Sequence, residues 1–395
     1  MRARVSGTLS CSTIFLPGLG QRLLVLVLAL VLVLPQAALA AGPGLTETPL
    51  APPRRLQVTL LAFGNPPAFW DVLIPVAQEA ASQLDIALEV LNAKGDHLKM
   101  VENAQAVAKR TLKPDYVLID NQKGTGGRQL EPLAAAGIPT LLILNVFDGP
   151  DVERYGRPRE KVPSFLGTLE PDNEDAGHAL ALALANAGKA AGFKPPMRLL
   201  AISGSKATIS VIARDDGLDK ALDERPDLAL AQVVHSNWQR EKAHKQVAGL
   251  LRRWPDTRLL WAANDPMALG AMDALRDRGL TPGTDVLLTG LNWSTEALRL
   301  VQSGQLVASA GGHFLTAAWA LVLLRDHHDG RDFAAEGTEI RFPMGLIDRA
   351  NVETYLQAFG AQQWSRIDFA KFCKSREPAV EKYEFTLQRL LERAR

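Results

Sequence analysis

Cysteine is almost missing from this chain. Of 395 residues only Cys11 and Cys373 are cysteine. If the first forty residues are removed, as argued below, Cys373 stands alone and no internal disulfide can form. No Cys/His spacing of the zinc-module kind exists, which excludes a structural zinc site of that type. Surplus charge is missing too. Lys and Arg number 44 against 43 Asp and Glu, a formal net charge of +1. No global field draws the chain to nucleic acid or to an acidic membrane surface. Long apolar runs are scarce: the one unbroken stretch, Leu23 to Leu34, is too short to cross a bilayer, which takes about 20 residues.

What is present is a globular composition, 47% hydrophobic and 22% charged, on a length that suits two domains. The N-terminus has the parts of an export signal. Arg2, Arg4 and Arg22 precede the apolar run, and Pro35 and the small-residue triplet Ala38-Leu39-Ala40 follow it. Cleavage after Ala40 is expected, giving a signal peptide over 1–40; the alternative is an uncleaved membrane anchor. Residues 41–55, rich in Pro, Gly and Thr, read as a flexible mature N-terminus.

From Leu56 a rhythm begins in which short apolar runs alternate with longer helical patterns. Strands are expected at Leu56–Phe63, Ile86–Leu91, Tyr116–Ile119, Thr140–Leu144, Phe165–Leu169, Arg198–Ser203, Leu228–Val234, Arg258–Ala262, Val286–Gly290, Leu306–Ala310 and Glu339–Met344. Helices are expected near 69–84, 97–110, 128–136, 173–190, 208–224, 239–253, 265–278, 294–303 and 314–329. Most strand candidates are nearly continuous apolar runs, which suits strands covered on both faces. Alternating β and α implies parallel sheets flanked by helices, and right-handed crossovers favour doubly wound lobes. The polar, Pro-rich stretch 148–163 marks a lobe boundary, and 351–395 reads as a helical tail with scattered aromatics.

In open α/β sheets the ligand sits beyond the carboxyl ends of the strands. The residues there are Asn65, Phe69 and Trp70 after the first strand, Asp120 after the third, Asn145 after the fourth, and Arg214 on the helix after Ser203. Trp238, Asn264, Asn292 and His313 follow later strands. Planar amides and carboxylates match vicinal hydroxyls, and aromatic faces suit the C–H surface of a sugar ring. Singly, each has a plainer reading: Asn264 before Asp265-Pro266 is a good helix N-cap, Trp70 and Trp238 suit lobe packing, and Arg214 suits a surface ion pair. Their shared position at strand ends favours a binding cleft.

The order and spacing resemble the type I periplasmic binding proteins, in particular the ribose/galactose/autoinducer-2 receptor group, from about Leu56 to Met344. The sharpest segment is Trp261-Ala262-Ala263-Asn264-Asp265-Pro266-Met267-Ala268-Leu269-Gly270-Ala271. Asn65-Pro66 through Phe69-Trp70, Arg214-Asp215-Asp216-Gly217-Leu218 and Gly290-Leu291-Asn292 resemble further family stretches. His313 stands where ribose receptors carry Gln, and Asn292 where Asp is usual. The resemblance implies an α/β fold of two doubly wound Rossmann-like lobes joined by a three-segment hinge. The chain is then expected to cross near Leu166–Thr168, Asn292 to His313, and Phe342–Gly345. The N-terminal lobe would comprise 56–166 plus 313–341, and the C-terminal lobe 167–312 plus 342–350. It also implies that Asn65, Phe69, Trp70, Asp120, Asn145, Arg214, Trp238, Asn264, Asn292 and His313 contact a small sugar-like ligand.

The function so implied is capture of a sugar or sugar-like solute in the periplasm for the membrane permease of an ABC importer. The alternative is a receptor that reports ligand to a membrane histidine kinase or chemoreceptor. Cofactor, metal and nucleic acid are not expected, and the protein is expected to act as a monomer. An enzyme is disfavoured. Glu79, Glu170 and Asp175 show no defined pairing, no G-x-S-x-G elbow is present, and neither Gly124-Thr125-Gly126-Gly127 nor Gly204-Ser205-Lys206 fits a phosphate loop. Asp326-His327-His328-Asp329 suggests a metal cluster only until side-chain direction is considered, because adjacent residues on a helix point apart. A sugar-sensing repressor would need a DNA-binding segment where the leader stands.

Overall fold

A computed structural model describes residues 54–394 except Ala207. The expected signal peptide and nearly all of the expected flexible N-terminus lie outside the described residues. The elements are, in chain order, β1 Leu56–Ala62, α1 Pro67–Gln83, β2 Ile86–Asn92, α2 His97–Ala108, β3 Tyr116–Asp120, α3 Gly126–Ala135, β4 Thr140–Ile143, α4 Gly149–Tyr155 and β5 Phe165–Pro171. Next come α5 Asn173–Ala190, β6 Met197–Ser203, α6 Ile209–Glu224, β7 Leu228–His235, α7 Arg240–Arg253, β8 Leu259–Ala262, α8 Asp265–Asp277, β9 Leu287–Leu291, α9 Thr295–Gln302 and β10 Ala308–Gly311. The chain ends with α10 Thr316–His328, β11 Glu339–Phe342, β12 Gly345–Asp348, α11 Val352–Phe359 and α12 Leu387–Glu392.

Two six-stranded sheets result. The first runs β11-β5-β4-β3-β1-β2 and is wholly parallel. The second runs β12-β10-β9-β8-β6-β7 and is parallel except for its edge strand β12. Central strands such as β3, β4, β8 and β9 are buried at every position, because helices cover both faces. The edge strands β2 and β7 are half-buried along most of their length, as strands with one open side should be.

The chain passes between the sheets at three places. β5 follows β4 in register through Ile143↔Leu169 and pairs with β11 through Phe342↔Pro171, so all of β5 belongs to the first sheet. The crossing expected at Leu166–Thr168 therefore falls later, at Pro171–Asn173. The expected boundary at 166/167 was misplaced because a strand and the crossing that follows it are equally apolar. The other two passages run from Gly311 to His313 and from Phe342 to Gly345. Glu339–Met344, expected as one strand, is broken at Pro343, which has no N–H to continue the ladder; β11 and β12 then lie in different sheets.

Two further expectations are corrected. Residues 148–163, expected to mark a lobe boundary, lie inside the first lobe, because the strand after them, β5, pairs in the first sheet; they contain a helix, α4, that starts at Gly149-Pro150 and stops at Gly156, whose φ is +73°. Proline in the first turn is a helix start as well as a loop signal. The tail after residue 350 is not mainly helical. Apart from α11 and α12 it is irregular chain with 3-10 turns at Trp364–Arg366 and Phe369–Phe372. Side chains hold it in place. Phe385 stacks on Trp319 at 4.8 Å between ring centres, and Asp326 accepts hydrogen bonds from the Lys374 and Ser375 N–H groups, each at 2.8 Å, and from the Tyr383 hydroxyl at 3.0 Å.

Candidate functional site

Between the sheets lies a cavity, with about 610 Å³ of unfilled space when its open mouth is included, walled by the carboxyl ends of strands from both lobes. Asn65, Phe69, Trp70 and Asn145 come from the first lobe. Arg214, Trp238, Asn264 and Asn292 come from the second, and His313 sits on the crossing between them. Nine of the ten residues expected at a ligand site thus line one cavity.

Asp120 is the exception. It is fully buried at the end of β3 but does not line the cavity. Its carboxylate accepts from Asn145 Nδ2 and from Gln122 Nε2, each at 2.8 Å, and those two residues present the surface in its place. Burial pushes its pKa up to about 6, against the lowering effect of these hydrogen bonds. Asp120 is therefore a support for lining residues, because its carboxylate is taken up by the amides of Asn145 and Gln122.

The second-lobe wall is set by helix packing. A Cβ on Gly177 of α5 would lie 2.2 Å from the Arg214 carbonyl oxygen, and one on Gly217 of α6 would lie 2.0 Å from that of Glu174. The two glycines let α5 and α6 touch backbone to backbone. That contact brings Asn173, at the start of α5, to Arg214: Nε donates to Asn173 Oδ1 at 2.9 Å and Nη1 donates to the Ala263 carbonyl at 2.7 Å. The guanidinium also lies 5.5 Å from the Trp238 ring centre. Trp238 in turn lies on Gly204, where a Cβ would come within 2.4 Å of the indole. Arg214 is thus buried in the cleft wall instead of pairing at the surface; burial lowers its pKa to about 10, opposed by the charge of Asp215.

Asn264 does cap α8, accepting from the Met267 N–H at 2.9 Å, and still lines the cavity. Beside it Asp265, fully buried, accepts from the Ser294 N–H at 2.8 Å and the Ser309 hydroxyl at 2.9 Å. This links α8 to the loops after β9 and β10 and fixes where Asn292 stands. Backbone strain gathers at the same rim. Leu144 (φ +67°), Trp238 (φ +68°) and Asn292 (φ +144°) all hold left-handed conformations that cost a non-glycine residue about 1 kcal/mol or more.

Phe69 stacks on His313 at 4.9 Å and 15°, and meets Trp70 edge to face at 5.6 Å. Burial, and then the charge of Arg214, hold His313 well below the ordinary imidazole pKa, so it is neutral at pH 7. Two buried polar atoms of the lining have no hydrogen-bond partner among the described residues: Asn145 Oδ1 and His313 Nδ1. Buried polar atoms are seldom left so.

Sequence reasoning missed Gln122, Asn173, Thr208 and Ser210 as lining residues. Gln122 lies only two residues past a strand end. Ser210 lies four residues before Arg214, on the same helix face. Asn173 was hidden by the misplaced first crossing. Glu79, Glu170 and Asp175 do not line the cavity, and Glu170 is paired with Arg341 at 2.9 Å. Among the described residues no cluster of His, Cys, Asp and Glu could hold a metal. The residues Asp326 to Asp329 serve other ends: Asp326 anchors the tail, His327 Nδ1 meets the Tyr116 hydroxyl at 2.8 Å, and Asp329 pairs with Arg325.

Two α/β lobes, three crossings and a polar cleft at the strand ends define a hinged binding protein. Residues 58–332 match the family described as "Periplasmic binding protein domain", and the chain belongs to that family, with the architecture of its type I members. The chain is 31% identical to a solved periplasmic sugar-binding protein from Pseudomonas fluorescens, covering 86% of this chain and 100% of that one at a TM-score of 0.76. It is 24% identical over 260 residues to the D-allose-binding periplasmic protein of Escherichia coli, covering 64% of this chain and 77% of that one. It is 25% identical over 256 residues to a ribose import binding protein of the same organism, covering 64% and 77%.

Proposed function

We propose that the protein captures a small sugar or sugar-like polyol between its lobes in the periplasm and presents it to the permease of an ABC importer, without changing it chemically. The observation that carries this reading is the cleft lining. Amides from both lobes line it together with aromatic rings at Phe69, Trp70 and Trp238, and two of its lining residues, Asn145 and His313, each carry a buried polar atom without a partner among the described residues. Relatives named for allose and ribose support a sugar as the class of guest. A ligand touching both lobes stabilises the closed arrangement by its differential affinity for it.

The test is thermal unfolding of the mature protein with a panel of sugars, sugar acids and polyols. A ligand at a hundred times its Kd adds about 2.7 kcal/mol, a rise of several degrees. Trp238→Ala is expected to weaken binding at least tenfold while leaving the unliganded melting temperature nearly unchanged, because Trp238 is only half-buried. A panel without any shift, or a Trp238→Ala variant that binds like the parent, would end the proposal.

A further inference from the structure

Among the described residues the cleft lining holds a single charged side chain. Of the sixteen that surround the cavity, Arg214 is the one cation, and no carboxylate is among them. The acids that lie close by are occupied elsewhere. Asp120 is turned to Asn145 and Gln122, Asp265 to Ser294 and Ser309, and Asp215 accepts from the Ser203 hydroxyl at 2.6 Å.

Arg214 itself is 4% exposed, and its protein partners are neutral: an amide oxygen of Asn173, a backbone carbonyl of Ala263 and the face of Trp238. A guanidinium has five N–H groups. Here Nε and Nη1 each make one hydrogen bond, and Nη2 makes none among the described residues. The planar fork is left open on the cavity side. Asp215 acts on Arg214 only through space, its carboxylate being bonded to Ser203, and a buried cation with no carboxylate bonded to it is costly once lobe closure excludes the water that screens it. A carboxylate fits the open fork with two parallel hydrogen bonds and supplies a directly paired charge.

We infer that the guest is a sugar acid: a small polyhydroxylated molecule bearing one carboxylate, which lies on Arg214 while its hydroxyls meet the amides of Asn65, Gln122, Asn145 and Asn292. The inference rests on the binding reading above and narrows it. One cation matches one negative charge. A sugar phosphate brings about −1.5 to −2 at neutral pH and would leave part of that unpaired.

The experiment is titration calorimetry at pH 7.5 and low salt on the mature protein, using matched pairs. Galacturonate is compared with galactose, glucuronate and gluconate with glucose, ribonate with ribose, and galactose 6-phosphate is included. At least one acid is expected to bind ten times or more tighter than its neutral parent and tighter than the phosphate. Asn173→Asp places a carboxylate at the position that now offers Arg214 an amide oxygen. It is expected to weaken the favoured acid at least ten times more than it weakens the neutral parent, so that the preference for the acid is erased. Arg214→Gln is expected to abolish the preference.

A neutral sugar that binds as tightly as its acid, or a phosphate that binds more tightly, overturns the inference and leaves the receptor reading intact. So does an Asn173→Asp protein that melts like the parent and still prefers the acid. If no probe binds, both fall together.

Discussion

Asp120 and Asp265 are carboxylates enclosed completely by protein, and each is pushed by burial up to about 6 from an ordinary value near 4. Between those two values the folded chain keeps protons that the unfolded chain has released. Stability changes with pH in proportion to protons bound in the unfolded state minus those bound in the folded state. That difference is negative here, so stability falls as pH rises through the window. The contribution is complete below about pH 4 and lost as pH climbs through 6. At about 1.4 kcal/mol per unit, each group accounts for about 3 kcal/mol at most. Other groups run the other way, among them Asp332, held down to about 2 by Arg159, in a window below pH 4, and His313 and His327, lowered chiefly by burial, which add stability as pH rises toward the ordinary imidazole value. The Asp120 share is read as a difference in thermal unfolding between about pH 4.5 and 7.5: Asp120→Asn is expected to lose less stability, or gain more, than the parent as pH rises, and to melt at pH 7.5 no lower than the parent. An unchanged slope in the variant would mean that Asp120 stays ionised in the fold.

At the scale of elements, the contact between α5 and α6 carries the second-lobe wall. The Cβ positions at Gly177 and Gly217 are filled by the partner helix's backbone, which cannot turn aside as a side chain can. Gly217→Ala is therefore expected to push the helices apart, lowering stability by about 1–3 kcal/mol and separating Arg214 from Asn173. Urea unfolding with a ligand titration checks both effects; a variant with parent stability and affinity would show that the helices slide freely. The strands and helices themselves were legible in the sequence, since strands buried on both faces read as solid apolar runs and the helices between them as amphipathic repeats. The cleft was legible through one rule, that ligands sit past strand ends, and it reached nine lining residues. It failed where tertiary geometry decides. Asp120 stands at a strand end yet is covered by the amides of Asn145 and Gln122, and Asn173 reaches the cleft only because two glycines, one on each helix, let α5 and α6 approach. Pro343 and Gly149-Pro150 each had two local readings, and packing chose between them.

At the scale of the whole molecule, the tail adds connections that the three crossings do not supply. It leaves β12 in the second lobe, where Glu353 accepts from Gln302 Nε2 of α9 at 2.5 Å and Tyr355 packs on Trp293 at 5.1 Å. It then passes to the first lobe. There Gln83 of α1 donates to the Ile367 carbonyl and accepts from the Phe369 N–H, both at 2.9 Å, and Trp319 of α10 is surrounded by Phe369, Phe372 and Phe385. It finally returns to the third crossing, where the Leu387 side chain fills the space that a Cβ on Gly345 would need. Burying each large apolar side chain is worth about 1.5–3 kcal/mol, so several such rings in the tail rival the 5–15 kcal/mol by which a domain is stable at all. The tail is thus part of the folded unit. Phe385→Ala is expected to cost about 3–5 kcal/mol, with Trp319 emission shifted to the red and the affinity of the cleft for its ligand unchanged, because Phe385 does not line it. Removing 351–395 altogether is expected to yield insoluble protein. A truncated chain that stays soluble, melts like the parent and keeps Trp319 in an apolar setting would show that the tail only rests on a core complete without it.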